Sequence, residues 1–189
     1  MKRFAVVLLG VLMLAGCQTT GGDRKITQEE FDGPVAPGVT RTKFSLNRDR
    51  WVRIANSTVP NIVVFDCRPL ACEKPTVIIY ANSPSSTRKP DIVALNERAK
   101  LMQEKMKALG FEKSSYRVSS VHGYPAIFFE STTNQAASDG KKRESVDVDI
   151  FAGNTNIGIR VLSTDRGVSK KYLDEAIKSL SIKDGGPRL

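Results

Sequence analysis

Histidine is nearly absent from this chain, and its scarcity narrows the chemistry open to the protein. His122 is the only histidine among 189 residues, so a Ser-His-Asp triad could use no other base. No serine lies in a Gly-x-Ser-x-Gly turn, and no cluster of histidines, cysteines and carboxylates has zinc-site spacing. Beside Gly123, His122 is typical of a turn residue; a general base or a metal ligand is the alternative. We therefore expect no enzyme activity, metal or cofactor.

Long apolar runs are also scarce, and the longest lies at the amino terminus. Residues 4–14 are too few to cross a bilayer, which needs about 20 residues. They follow Lys2 and Arg3 and end in Leu14-Ala15-Gly16-Cys17, the order of a secretory leader. This ending resembles the lipobox of bacterial lipoproteins, in which the cysteine receives diacylglycerol and, after cleavage, an acyl chain such as palmitate. An ordinary secretory signal is the alternative.

The lipobox resemblance implies a division of the chain and a place in the cell. Residues 1–16 would be the signal peptide, and residues 17–40 a lipidated amino terminus and flexible tether, rich in Gly and Pro. Two or more acyl chains anchor a protein stably to a membrane. Gln18 rather than Asp follows the cysteine, which by the sorting of Gram-negative lipoproteins implies the outer membrane, facing the periplasm.

The charge is strongly positive, with a formal net charge of +9. A basic surface suits anionic lipid headgroups, lipopolysaccharide phosphates or peptidoglycan carboxylates, whereas nucleic acid is a poor partner for an exported protein. Lys141, Lys142 and Arg143 form the best candidate basic contact, and a solvent-facing charge run is the alternative. The sequence leaves the oligomeric state open.

Cys67 and Cys72 are the two cysteines beyond the lipobox. In an oxidising compartment, a disulfide is their expected state. The flanking residues 61–66 and 76–80 have the composition of strands, so the bond would close the loop of a hairpin. Their spacing is not the Cys-x-x-Cys of redox-active pairs.

Residues 41–183 contain the pattern of one α+β domain, and residues 184–189 form a short tail. One helix is predicted from Pro90-Asp91 to a C-terminal cap at Gly110, and another from an N-cap at Ser169. The predicted apolar stripe of the first consists of Ile92, Leu95, Ala99, Leu101, Met102, Met106 and Leu109. That of the second consists of Tyr172, Leu173, Ala176, Ile177 and Leu180. Trp51 and Tyr80 would line a ligand groove or belong to the core.

Two strand hairpins separate the helices. Residues 115–121 and 124–131 flank His122-Gly123, and residues 145–151 and 156–162 flank a turn at Gly153-Asn154. In the second hairpin, one register pairs three sets of apolar residues and places Asp147 opposite Arg160. The apolar pairs are Ile150 with Ile157, Val148 with Ile159, and Val146 with Val161. Asp147 and Asp149 could also hold a cation.

This order predicts an antiparallel β-sheet packed with two main helices. With Val121-His-Gly-Tyr-Pro-Ala126 in a hairpin turn and Ala176-Ile-Lys-Ser-Leu-Ser-Ile182 in the closing helix, residues 41–183 resemble the PsbP-like sandwich. That family is named after an extrinsic subunit of photosystem II and includes bacterial lipoproteins of unassigned role. The resemblance implies a non-catalytic binding or assembly module, here for a periplasmic protein or envelope polymer. A small-ligand carrier or sensor with a cleft between sheet and helix is one alternative, and an envelope hydrolase is another.

Overall fold

The structure is a computed structural model that describes residues 41–54, 62–84, 90–136 and 140–183. Runs of strands separated by two helices follow the order that the sequence predicts for an α+β domain. In chain order the elements are β1 (Arg41–Phe44), β2 (Trp51–Ile54), β3 (Ile62–Cys67), β4 (Thr76–Pro84), α1 (Ile92–Ala108), β5 (Glu112–Val121), β6 (Tyr124–Ala136), β7 (Lys142–Ala152), β8 (Thr155–Ser163), α2 (Arg166–Ser179) and β9 (Leu180–Lys183). One prediction was wrong: residues 180–182, expected to end the closing helix, belong to a strand, Leu180–Lys183, that pairs with the first strand.

Seven of these strands form one antiparallel sheet in the order β2-β3-β4-β8-β7-β6-β5, and β1 pairs separately with β9. The pairing of β4 with β8 runs from Thr76 opposite Ser163 to Pro84 opposite Thr155. This long-range pair joins the β2–β4 meander to the β5–β8 meander in the middle of the sheet. The predicted antiparallel sheet with two helices is confirmed.

The β7–β8 hairpin has the predicted register. Val146, Val148 and Ile150 face Val161, Ile159 and Ile157, and Asp147 lies opposite Arg160. Gly153 has a φ of 61°, so the two-residue connection is a primed turn, which matches the twist of the strands. The β5–β6 turn at His122-Gly123 is also confirmed, and both of its residues have positive φ.

Helix α1 begins and ends where the sequence predicts. The Asp91 side chain accepts a hydrogen bond from the Ala94 amide at 2.7 Å and caps the first turn. At the other end, the amides of Gly110 and Phe111 donate to the carbonyls of Lys107 and Met106, and Gly110 has a φ of 83°. These two bonds form a Schellman motif.

The apolar stripe of α1 is narrower than predicted. Leu95, Ala99 and Met106 are buried against the sheet. The prediction was wrong for Ile92, Leu101 and Leu109, whose side chains are exposed. Helix α1 packs mainly on the two strands β5 and β6 at one edge of the sheet, so only a thin strip of its surface meets other side chains.

Helix α2 begins earlier than predicted. Asp165, not Ser169, is its N-cap, and its carboxylate accepts a hydrogen bond from the Val168 amide at 3.0 Å. Ser169 is buried within the first turn, where its hydroxyl donates to the Glu144 carbonyl of β7 at 3.1 Å. The prediction at Ser169 was wrong because Gly167, a poor helix former, interrupts the start of the pattern.

The main core lies between the sheet and the α2 side of the domain. Tyr172, Leu173 and Ala176 of the predicted stripe are buried, and so is Leu180 at the start of β9; Ile177 is half-buried. Trp51 contacts Tyr172 edge-to-face at 5.2 Å, and Tyr80 contacts Phe44 in the same way at 4.6 Å. Trp51 and Tyr80 therefore belong to the core and do not line a groove.

Candidate functional site

The two faces of the sheet are covered unequally. Helix α2 packs across β7 and β8 on one face, and α1 packs on the other face at β5 and β6. Neither helix of the described part of the chain packs over β2, β3 and β4 on the α1 side. We call this surface, together with the adjoining side of β8, the open face.

Aliphatic side chains cover most of the open face. The pairing register places Ile54, Val64, Ile79 and Arg160 in one row across β2, β3, β4 and β8. Ile54 is 46% exposed and the other aliphatic side chains are half-buried. The aliphatic residues of this face are Val52, Ile54, Ile62, Val64, Val77, Ile79 and Leu162. A contiguous apolar surface of this kind is typical of an interaction site.

An ion pair forms the border between the open face and the half of the sheet under α1. Arg160 Nε donates to Asp147 Oδ1 at 3.0 Å, and the Ser145 hydroxyl donates to the same oxygen at 2.7 Å. The Asp147 side chain is 11% exposed and that of Arg160 is 44% exposed. Burial raises the pKa of the Asp147 carboxyl, although Arg160 and Ser145 act in the opposite direction.

Asp149 lies next to this ion pair on the same face of β7. Burial and, second, the charge of Asp147 raise its pKa, while Arg98 and Arg160 lower it. Arg98 reaches from α1 over the ring of Phe151, with 4.9 Å between its Cζ and the ring centre. Gly158 faces Asp149 on β8, and a Cβ at residue 158 would lie 3.3 Å from Asp149 Oδ1. Glycine therefore leaves room for the carboxylate.

Asp147, at the border of the open face, and His122 both have hydrogen-bond partners within the domain. Asp147 is already held by Arg160 and Ser145, and His122 lies in the β5–β6 turn. One ring nitrogen of His122 makes a 2.9 Å hydrogen bond with the Ile177 carbonyl, which joins the turn to α2. Among the described residues, no group of three or more His, Cys, Asp or Glu side chains could hold a metal ion. Within the described ranges, Asp147 and Asp149 therefore have no third such side chain placed to share a cation with them.

The other predicted site residues lie away from the open face. Cys67, the last residue of β3, and Cys72 in the β3–β4 loop are at disulfide distance, with their Cα atoms 6.2 Å apart, which fits the expected bond. Lys142 is ion-paired with Glu112 at 2.7 Å, and its neighbours Lys141 and Arg143 are exposed. Cys17 and the tether lie outside the described residues, as does the predicted tail at residues 184–189.

One open groove lies on the outer side of α2. It is lined by Lys171, Asp174, Glu175, Lys178 and Ser179. Pockets for small molecules enclose most of the ligand, whereas this groove is open to solvent, so it does not match one. Neither helix of the described ranges is long and apolar enough to cross a membrane.

The open face was not predicted from the sequence, although the sequence contains a signal for it. Residues 62–65 and 77–80 are uninterrupted apolar runs, a pattern typical of strands that are covered on both faces. Only one side of these runs is buried in the main core. An apolar strand that no described helix covers on one side indicates a candidate binding surface.

No protein-family profile matches the sequence, and no curated protein sequence is significantly similar to it. Solved structures are similar in fold. LpqN, involved in cell envelope biogenesis of Mycobacterium tuberculosis, has a TM-score of 0.56 at 14% identity, over 79% of this chain and 87% of LpqN. A Bacteroides thetaiotaomicron protein has a TM-score of 0.52 at 11% identity, over 86% of this chain but 52% of that protein.

A third solved structure with a similar fold is a PsbP protein. Cyanobacterial PsbP from Synechocystis has a TM-score of 0.50 at 12% identity, over 79% of this chain and 96% of that protein. At such identities the likeness concerns the fold alone. The domain is an antiparallel sheet with two helices, and its fold is PsbP-like.

Proposed function

We propose that this protein is a non-catalytic lipoprotein of the cell envelope whose domain binds a partner protein on the open face. The observation that carries the proposal is the unequal covering of the sheet: aliphatic side chains over β2, β3, β4 and β8 have no helix above them within the described residues. Burying such side chains contributes about 25 cal/mol for each Å² removed from water. The role of LpqN in cell envelope biogenesis agrees with this proposal.

The anchor is the second part of the proposal. Acylated Cys17 would hold the chain at the membrane, with the tether at residues 18–40 giving a reach of roughly 25 Å. We place the protein at the outer membrane, facing the periplasm. Metabolic labelling with radioactive palmitate tests the anchor: the native protein should be labelled and Cys17→Ser should not be. Unchanged labelling of Cys17→Ser would remove this part of the proposal.

Photo-crosslinking in intact cells tests the binding surface. A photo-reactive amino acid in place of Ile79 lies in the middle of the open face, and one in place of the exposed Val93 lies on α1 as a matched control. We expect a defined crosslinked protein from the first position and none from the second. The same crosslinks from both positions, or none from Ile79, would overturn the proposal. Crosslinking to glycan strands would identify an envelope polymer as the partner instead.

A small-ligand carrier is the second candidate, and one observation favours it. Arg98 of α1 and Asp149 of β7 place a positive and a negative group where the helix borders the apolar open face. Such a border could hold the polar end of an amphipathic molecule. Native mass spectrometry of the protein purified from its own envelope tests this function: a bound small molecule supports it, and an unliganded mass argues against it.

A further inference from the structure

One end of the sheet combines exposed leucines with an excess of positive charge. Across the sheet, Thr76 pairs with Ser163, Ser163 with Glu144, Glu144 with Thr132, and Thr132 with Glu112. These residues of β4, β8, β7, β6 and β5 therefore lie in one row at the same end of the sheet. The β3–β4 loop, the start of β7 and the last turn of α1 therefore lie at the same end, which we call the basic end. From β4 to β5 this end is about 19 Å wide, four strand spacings.

Leu70 is the most exposed large hydrophobic residue of the described chain. It lies between Cys67 and Cys72 in the β3–β4 loop, and its side chain is fully exposed. Its φ of 67° is in the left-handed region, which a bulky residue rarely adopts. The neighbouring disulfide restricts the loop, so the apolar side chain is held in water without covering any part of the core.

Leu109 is a second exposed leucine at the other side of the basic end. It is the C-cap of α1, and the chain turns from there into β5. The two leucines thus lie toward opposite sides of this end, Leu70 in the loop that joins β3 to β4 and Leu109 where α1 ends beside β5. Their separation across the sheet suits contact with a flat apolar layer better than insertion into one pocket.

Basic residues surround the two leucines. Within the described chain, eight basic residues lie at this end: Arg48, Arg68, Lys74, Lys105, Lys107, Lys113, Lys141 and Arg143. Three acidic residues there are ion-paired, namely Glu73 with Lys171, Glu112 with Lys142, and Glu144 with Arg166. The further acidic residues of the described chain at this end, Asp49, Asp66, Glu104 and Asp165, are outnumbered by these eight basic residues. By contrast, the turns His122-Gly123 and Gly153-Asn154 at the opposite end contain no Lys, Arg, Asp or Glu.

We propose that the basic end of the domain rests on a bilayer containing anionic phospholipid, with Leu70 and Leu109 in the apolar layer and the lysines and arginines among the headgroups. Clustered basic residues are attracted to anionic membrane surfaces, and inserted apolar side chains add to the attraction. This contact uses the folded domain and neither Cys17 nor the open face, so it stands or falls separately from the proposed function.

Tryptophan placed at the leucines reports insertion directly. Full-length protein with Leu70→Trp, Leu109→Trp or, as a control at the start of α1, Val93→Trp is mixed with vesicles of equal parts phosphatidylcholine and phosphatidylglycerol. With brominated acyl chains, we expect quenching at the first two positions and not at the third. The native Trp51 is buried and gives the same background in all three. Equal quenching at Val93→Trp, or none at Leu70→Trp, would overturn the proposal.

Binding of the full-length protein to the same vesicles measures the contribution of each group. Leu70→Asn should weaken sedimentation with the vesicles by roughly tenfold, the effect of losing one leucine from an apolar layer. Asparagine accepts the positive φ, so this variant should fold as the native protein does. Lys74→Gln with Arg143→Gln should weaken binding to anionic vesicles, whereas the distant pair Lys100→Gln with Lys178→Gln should not. Equal effects of the two pairs would contradict a basic end.

Discussion

Asp147 and Arg160 form the only ion pair across the β7–β8 hairpin that the described residues show, with 3.0 Å between Oδ1 and Nε. The carboxylate is nearly buried, while the Arg160 side chain is 44% exposed and its residue pairs with Ile79 of the open face on the other side of β8. The pair therefore marks the line at which the covered half of the sheet ends.

Removing the cation of this pair should destabilise the domain. In Arg160→Met, the aliphatic part of the side chain is kept but Asp147 loses its charged donor. A buried carboxylate without this partner should cost about 2 kcal/mol of the free energy of unfolding. Urea denaturation of Arg160→Met against the native protein measures the loss, and Arg160→Lys, which keeps the charge, should lose less. An unchanged midpoint for Arg160→Met would show that Ser145 alone satisfies Asp147.

Opening the Cys67–Cys72 bond should lower stability modestly. The bond closes a loop with a sequence separation of 5, and chain-entropy arguments assign about 2 kcal/mol to a loop this short. Thermal unfolding with and without reductant measures the effect in the native protein. A variant with both cysteines replaced by serine should unfold near the reduced value and should not respond to reductant. A response in that variant would assign the effect to something other than this bond.

The N-cap of α2 can be located by substitution. Asp165→Ala should cost about 1 kcal/mol because the Val168 amide loses its acceptor, and Asp165→Ser should recover most of that loss. Denaturant titrations of the two variants give the difference. If both variants lose the same amount, the loss comes from the charge of Asp165 and not from capping.

Local patterns in the sequence predict local structure well, and the β7–β8 hairpin shows why. Its register satisfies the apolar pairs on one face and the Asp147–Arg160 pair on the other, so no slipped pairing is equally good. The start of α2 was predicted too far along the chain because Gly167, a poor helix former, interrupts the helical pattern in the first turn. The exposed positions of α1 could not be predicted, since its apolar spacing does not reveal how few strands lie beneath it.

The open face depends on strand pairings that could not be predicted from the sequence. The open face exists because β4 joins β8, residues far apart in the chain, while α1 remains over β5 and β6 at the far edge. Neither fact follows from periodicity, which specifies the faces of an element but not its neighbours. The apolar runs of β3 and β4 contain the signal, but only the topology shows which of their sides is uncovered.

Asp149 should make stability depend on pH, and the direction follows from its raised pKa. Its pKa lies above the ordinary value of 3.8 because burial disfavours the charged form. As pH rises from about 3.8 through the folded-state pKa, the folded protein holds more protons than the unfolded chain, so stability falls across this window. Above this pH window Asp149 is charged in both the folded and the unfolded state, and the full cost of burying its charge lowers the free energy of unfolding.

Asp149→Asn removes this titration and keeps the shape of the side chain. Relative to the native protein, the variant should gain little stability well below pH 3.8, and its gain should grow through the window to a maximum near neutral pH. Urea denaturation at a series of pH values measures the difference, and Val93→Asn, which changes no ionisable group, should differ from the native protein by the same amount at every pH. A gain for Asp149→Asn that is largest in acid would mean that Arg98 and Arg160 outweigh burial at this carboxylate.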